Sequence, residues 1–240
     1  MENSENKSLI STGSSNLAKT EKLLSITQKI LSEIKPQYES VRIGDQLWMT
    51  RNLDVDRFRN GDLIPKIESD KEWEKAGRNG QPAWCYYLNR PENGKKYGKL
   101  YNWFAVNDPR GLAPKGWHVP SDGDWTSLVK FLGGEGIAGH KMKSVEVWEE
   151  KENGDGEIFH SINGDNSSGF NALQGRDRNR WGGYWGDIGC AVFWSSTEIR
   201  YHWYDLEIQI WCRILDNYKD DMIRNYVEAA CGASLRLLKD

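Results

Sequence analysis

The chain of 240 residues (27.6 kDa) is 38% hydrophobic and 28% charged, with a mean hydropathy of −0.73, which is polar for a folded protein. Its 12 tryptophans and 12% aromatic content still carry too much apolar surface for a disordered chain. A net charge of −3 argues against a sequence-independent nucleic-acid binder, and no stretch approaches the ~20 apolar residues of a membrane-spanning helix.

Residues 1–16 are rich in Ser, Asn, Glu and Lys and read as a disordered tail. They contain no apolar core of the secretory type, so the expectation is a cytoplasmic location or delivery to a surface or virion without a signal. Residues 17–40 follow as an amphipathic helix and linker. Leu23, Ile26, Ile30 and Ile34 recur at helical spacing, Leu24 and Leu31 widen the stripe, and Pro36 ends it. A helix of this length is marginal alone. It either docks on its own domain or self-associates through the 17–34 stripe. Every tryptophan lies between Trp48 and Trp211, so the composition changes near residue 40 and a domain is expected over 41–240.

Within that domain, Val41–Ile43, a Gly44-Asp45 turn and Gln46–Asn52 predict a hairpin. Ser69 with Glu72 forms a capping-box pattern for a helix that carries Trp73 and ends at Gly77. Pro82–Leu88 predicts a strand, and Leu100–Val106 either a buried helix or a strand. Ser121 caps a further helix, with Asp122 and Asp124 in its first turn. That helix buries Trp125, Leu128, Val129 and Leu132 and stops at Gly133-Gly134. The last third is expected to be β-rich. Val192–Ser195 is one strand, and Leu206 to Ile214 alternates apolar and polar residues with a period of two. A final strand runs from Ala233 to Lys239. The fold class is therefore α+β, with short mixed or antiparallel sheets, few helices and long loops.

Five strings in fixed order carry a resemblance. They are Trp48–Leu53 (WMTRNL), Tyr97–Trp103 (YGKLYNW), Gly116–Ser121 (GWHVPS), Gly169–Leu173 (GFNAL) and Phe193–Glu198 (FWSSTE). Together they resemble the Fibrobacter succinogenes major paralogous domain over residues 41–240. The resemblance implies a C-type-lectin-like fold, distantly akin to that of formylglycine-generating enzymes, in surface or secreted proteins of Bacteroidetes and Fibrobacteres. It implies no established catalytic activity. Leu237 stands where the family commonly has a cysteine. The resemblance extends to the variable proteins of diversity-generating retroelements, whose mutable residues would correspond here to Cys212, Ile214, Asp216 and Ile223; Tyr218 is a further candidate ligand-binding residue.

Catalytic and metal-binding patterns are weak. The four histidines lack ligand spacing, the four cysteines form no CxxC pair, and Ser195-Ser196 lies outside any GxSxG. No cofactor or metal is expected. Asp155, Glu157, Asp165 and Asn166 could offer oxygens to calcium, but they read better as turns. The strongest surface candidate is Gly175–Trp185 (GRDRNRWGGYW), with Arg178, Arg180, Trp181, Tyr184 and Trp185, because Arg and aromatics dominate binding hot spots. Burying several arginines is costly, which favours exposure. Trp203 and Trp211 extend the candidate surface. The expected function is a non-enzymatic module that presents a protein or glycan binding surface from its C-terminal third. The alternatives are an assembly subunit using the N-terminal helix, and an enzyme akin to the formylglycine-generating group. Leu206 and Ile208 are expected in the core, with Ile214, Asp216, Tyr218 and Ile223 near solvent beside Trp181 and Tyr184.

Overall fold

Short strands joined by long loops raise the question of where the loop backbone finds its hydrogen bonds. A computed structural model describes residues 20–24, 38–146, 148, 151–152, 158–159, 163–184, 189–199 and 208–240. The chain divides into two units, Met1–Tyr38 and Glu39–Asp240. In the first, residues 20–24 are helical, with Leu23 and Leu24 exposed; the rest of the expected helix lies outside the described residues. The second unit is α+β.

The hairpin forms with β1 (Ser40–Ile43) against β2 (Gln46–Met49). Gly44 takes the positive φ of +59° that its tight turn requires. Helix α1 (Asp70–Arg78) starts at Ser69, whose hydroxyl accepts from the Glu72 N–H. The expected strand at Pro82–Leu88 is cut short. Only β3 (Trp84–Cys85) is extended, because a 3₁₀ turn at Tyr87–Asn89 bends the chain and places Leu88 and Asn89 at positive φ. Helix α2 (Pro91–Tyr97) follows. Leu100–Val106 resolves into both alternatives: β4 (Leu100–Asn102), then α3 (Trp103–Val106) capped by the Asn102 side chain, which accepts from Ala105 N–H. After β5 (Trp117–His118) comes α4 (Asp122–Phe131), whose Ser121 and Asp124 complete a reciprocal capping box. Gly133 and Gly134, at φ +108° and +102°, end that run. A helix that sequence patterning did not anticipate, α5 (Glu135–Met142), begins at once. Residues β6 (Lys151–Glu152) and β7 (Ile158–Phe159) pair as a small ribbon.

The remaining strands are β8 (Cys190–Ile199), β9 (Gln209–Asp216), β10 (Ile223–Glu228), β11 (Gly232–Ser234) and β12 (Leu238–Lys239). One sheet has the order β10-β9-β8-β11-β4-β3, and another β1-β2-β12-β5. The final strand expected over Ala233–Lys239 is thus two strands in two sheets. Leu235, Arg236 and Leu237, all buried, carry the chain between them. The Leu53 and Met49 N–H groups donate to the Leu235 and Leu237 carbonyls at 2.8 and 3.0 Å, so the crossing segment is bonded along its length.

The core is built around aromatic rings. Trp48 and Trp125 lie 4.7 Å apart, and Phe170 and Phe193 close the group at 5.7–5.9 Å from Trp125 or from each other. Indole N–H groups also serve backbone carbonyls: Trp125 donates to Trp194 O (3.1 Å), Trp194 to Tyr101 O (2.8 Å) and Trp84 to Ile64 O (3.0 Å). Each such tryptophan fills volume and satisfies backbone at once. Trp125 is fully buried. Replacing it with Ala should cost about 3–5 kcal/mol in urea unfolding, whereas a loss below about 1 kcal/mol would contradict its place in the core.

Candidate functional site

The segment 178–184 folds into a rigid tip. Asn179 Oδ1 accepts from the Trp181 and Gly183 N–H groups at 2.9 and 3.1 Å, and Asn179 N–H donates to Gly183 O at 2.8 Å. Gly182 sits at φ +94°, and a Cβ there would meet Asp70 at 2.3 Å. No other residue fits that approach. The turn leaves Trp181 half exposed at its apex.

Arg178 anchors this tip and is fully buried, which corrects the expectation of an exposed ligand-binding arginine. Its Nε donates to Gly182 O (2.6 Å), one Nη to Ile67 O (2.6 Å), and the other to Glu68 O (2.8 Å) and Asp70 Oδ1 (2.9 Å). The guanidinium also lies 4.6 Å from the centre of the Trp73 ring. Converging carbonyls remove the burial cost that argued for exposure.

Beside the tip is a groove of 540 Å³. Trp181 and Arg180 form one wall, and Glu74, Gly77 and Arg78 of α1 form another. Phe104, Ile208 and the Glu228–Ala230 corner after β10 complete it. Arg180 reaches Glu228 at 3.1 Å and lies 4.4 Å from the Trp181 ring centre. Arg78 pairs with Glu74. The lining is drawn from separate stretches at 74–80, 104, 180–181, 208 and 228–230, and no local pattern marks Phe104, Glu74 or Arg78 as neighbours of Trp181.

The other sequence candidates do not join this groove. Tyr184 is half-buried, its hydroxyl donating to Tyr86 O (3.0 Å) and lying 2.9 Å from Asn89 Oδ1, which marks it as a structural residue. Trp185, Trp203 and Leu206 lie outside the described residues. Trp211 is half-buried beneath the Arg224 guanidinium, 3.3 Å from its ring centre. Cys212 is fully buried, so it is not a displayed residue. Ile214 and Ile223 are half-buried and pair directly across β9 and β10. They sit at the opposite end of that strand pair from Ile208 and Glu228, and so they do not adjoin Trp181. Asp216 is also half-buried and is a turn residue, accepting from the Tyr218 and Lys219 N–H groups at 2.9 Å; Tyr218 is half-buried beside it. Ile208 itself is 47% exposed rather than in the core. The period-two pattern fails after Cys212 because both faces of β9 are covered. Arg213 is buried by its 2.7 Å bond to Asp122 of α4, and Leu215 is buried in the aromatic core.

The four cysteines are free thiols. Burial pushes Cys190, Cys212 and Cys231 up to about 12 and raises Cys85 as well, so all four are protonated and unreactive near neutral pH. Among the described residues, no group of three or more His, Cys, Asp or Glu is placed to hold a metal ion. Asp165 accepts from the Ser167 N–H at 2.8 Å, as a turn residue does, while Asp155 and Glu157 lie outside the described residues. Ser195 Oγ is likewise spent, accepting from Thr197 N–H.

Asp177, near three of these thiols, is the notable acid. Burial raises its pKa to about 6 against weaker opposing help from a backbone bond and Arg176. An acid with a raised folded pKa favours the fold while it is protonated. That contribution is lost as pH climbs from about 4 to about 6, leaving a destabilising charge above. Asp177→Asn should therefore stabilise the protein by about 1–2 kcal/mol at pH 7.5, with the gain shrinking toward pH 4.5. A gain independent of pH in chemical denaturation would contradict the assignment.

Comparison with known proteins adds one finding. The family model described as the Fibrobacter succinogenes major domain matches residues 41–239. No curated protein and no solved structure matches the chain significantly. The match spans the α+β unit from its first hairpin to its last strand, and the chain belongs to the Fibrobacter succinogenes major domain family.

Proposed function

We propose that this protein is a non-enzymatic binding module, a lectin-like scaffold that holds its ligand in the groove beside Trp181. The observation that carries the reading is the half-exposed indole on a tip locked by Arg178, Asn179 and Gly182. A large aromatic held in place binds at low ordering cost, as hot-spot residues do. Among the described lining residues there is no Cys, Ser or His, and the two carboxylates, Glu74 and Glu228, are each paired with an arginine, which supports binding over nucleophilic or acid–base chemistry. The buried, protonated thiols point the same way.

A diversified surface is the finer form of this reading. Its support is the exposed run Arg224, Asn225 and Tyr226 on β10, beside the groove's Glu228. An assembly role through the N-terminal helix has its own support in the exposed Leu23 and Leu24.

The direct test presents the full chain to a mixed array of immobilised glycans and displayed peptides. Trp181→Ala should weaken whatever ligand is retained at least tenfold while leaving the thermal midpoint within about 2 °C of the parent. Undiminished binding by a folded Trp181→Ala variant would remove the groove from the function.

A further inference from the structure

We infer that the ligand of this groove is an uncharged saccharide, an inference that rests on the binding-module reading above. The first support is charge. Arg78 is paired with Glu74, and Arg180 with Glu228, so the charges of the described lining residues balance. A polyanion is drawn by a net positive field, which this lining lacks.

The second support is the state of the backbone. A peptide held by strand addition needs free main-chain donors and acceptors. At the Glu228–Ala230 corner they are turned inward. The carbonyls of Glu228, Ala229 and Ala230 accept from Cys231 N–H (2.9 Å), Trp103 N–H (2.9 Å) and the Trp73 indole (3.0 Å). Ala229 N–H donates to Ile208 O at 2.8 Å. Recognition at that corner therefore falls to side chains.

Those side chains are an indole face and two ion pairs whose guanidinium and carboxylate groups donate and accept side by side. A pyranose offers the matching chemistry. The C–H groups on one face of its ring are attracted by the negative face of an indole. Its hydroxyls each donate and accept, which suits an Arg–Glu pair better than either charge alone. The 540 Å³ volume falls within the range of about 300–1,000 Å³ usual for small-molecule sites.

The test is calorimetric titration of the full chain with neutral oligosaccharides chosen from an array of pentose, hexose and N-acetylhexosamine series. A sulfated polysaccharide and a displayed peptide library serve as comparisons. At least one neutral series should bind, with affinity changing less than twofold between about 50 and 300 mM salt. Trp181→Ala should weaken that binding tenfold or more, and Glu228→Gln several-fold. Should Trp181→Ala fail to fold, Ile208→Ser in the same groove supplies the same readout. Absence of binding across the neutral array, binding confined to the sulfated polymer, or neutral binding indifferent to both variants would overturn the inference. A peptide lost on Trp181→Ala with no saccharide bound would overturn the saccharide assignment alone. A ligand of any class that ignores Trp181 would overturn the groove reading too.

Discussion

Three guanidinium groups with almost no access to water tie together segments that lie far apart in the sequence. Arg178, Arg213 and Arg236 are each at most 2% exposed. Each donates to several oxygens, most of them from distant parts of the chain. Arg236 is the extreme case. It donates to Met49 O (3.0 Å), Phe170 O, Asn52 Oδ1 (3.0 Å) and, at 3.4 Å, Asn171 O, while lying 4.4 Å from the Phe170 ring centre. One side chain thereby joins the first hairpin, the GFNAL segment and the crossing strand. Burial lowers its pKa to about 9, which still leaves it charged at neutral pH. A fan of five fixed donors suits this task in a way that a lysine does not.

The other two arginines apply the same solution with a carboxylate added. Arg213 and Arg224 share Asp122 at the start of α4, at 2.7 and 2.9 Å, tying the helix to neighbouring strands. Burial raises the Asp122 pKa, but the bonds from Arg224 and Arg213 outweigh it and hold the carboxyl below its usual value. Arg178 joins the tip to the segment before α1 and to Asp70, its first residue. That clamp sets the position of Trp181, so the candidate binding surface depends on an interaction made in the interior.

Local chemistry made much of the fold legible. The Ser121 cap, the Gly44 turn, the Gly133-Gly134 stop and the strand through Ile210 all follow from short-range rules. Long-range partners were not legible. Arg178 looks like a surface residue because nothing near it in sequence announces the carbonyls of Ile67 and Glu68. The alternation at Cys212–Leu215 misleads because Asp122 makes burial of Arg213 tolerable. Trp181 stood out through residue type alone, whereas Phe104, Glu74 and Glu228 enter its groove only through tertiary packing. The ordered family motifs mark the framework: Trp48, Trp194 and Phe170 lie in them, and all three are core residues.

The central claim is that buried guanidinium groups bind distant loops into one cooperative unit. Amide hydrogen exchange on Arg236→Lys tests it most directly. The account predicts that protection falls together in residues 46–53 and 168–173, well beyond the site of substitution, because both segments lose their shared donor. Exchange that rises only within residues 235–237, with the two distant segments as protected as before, would contradict it.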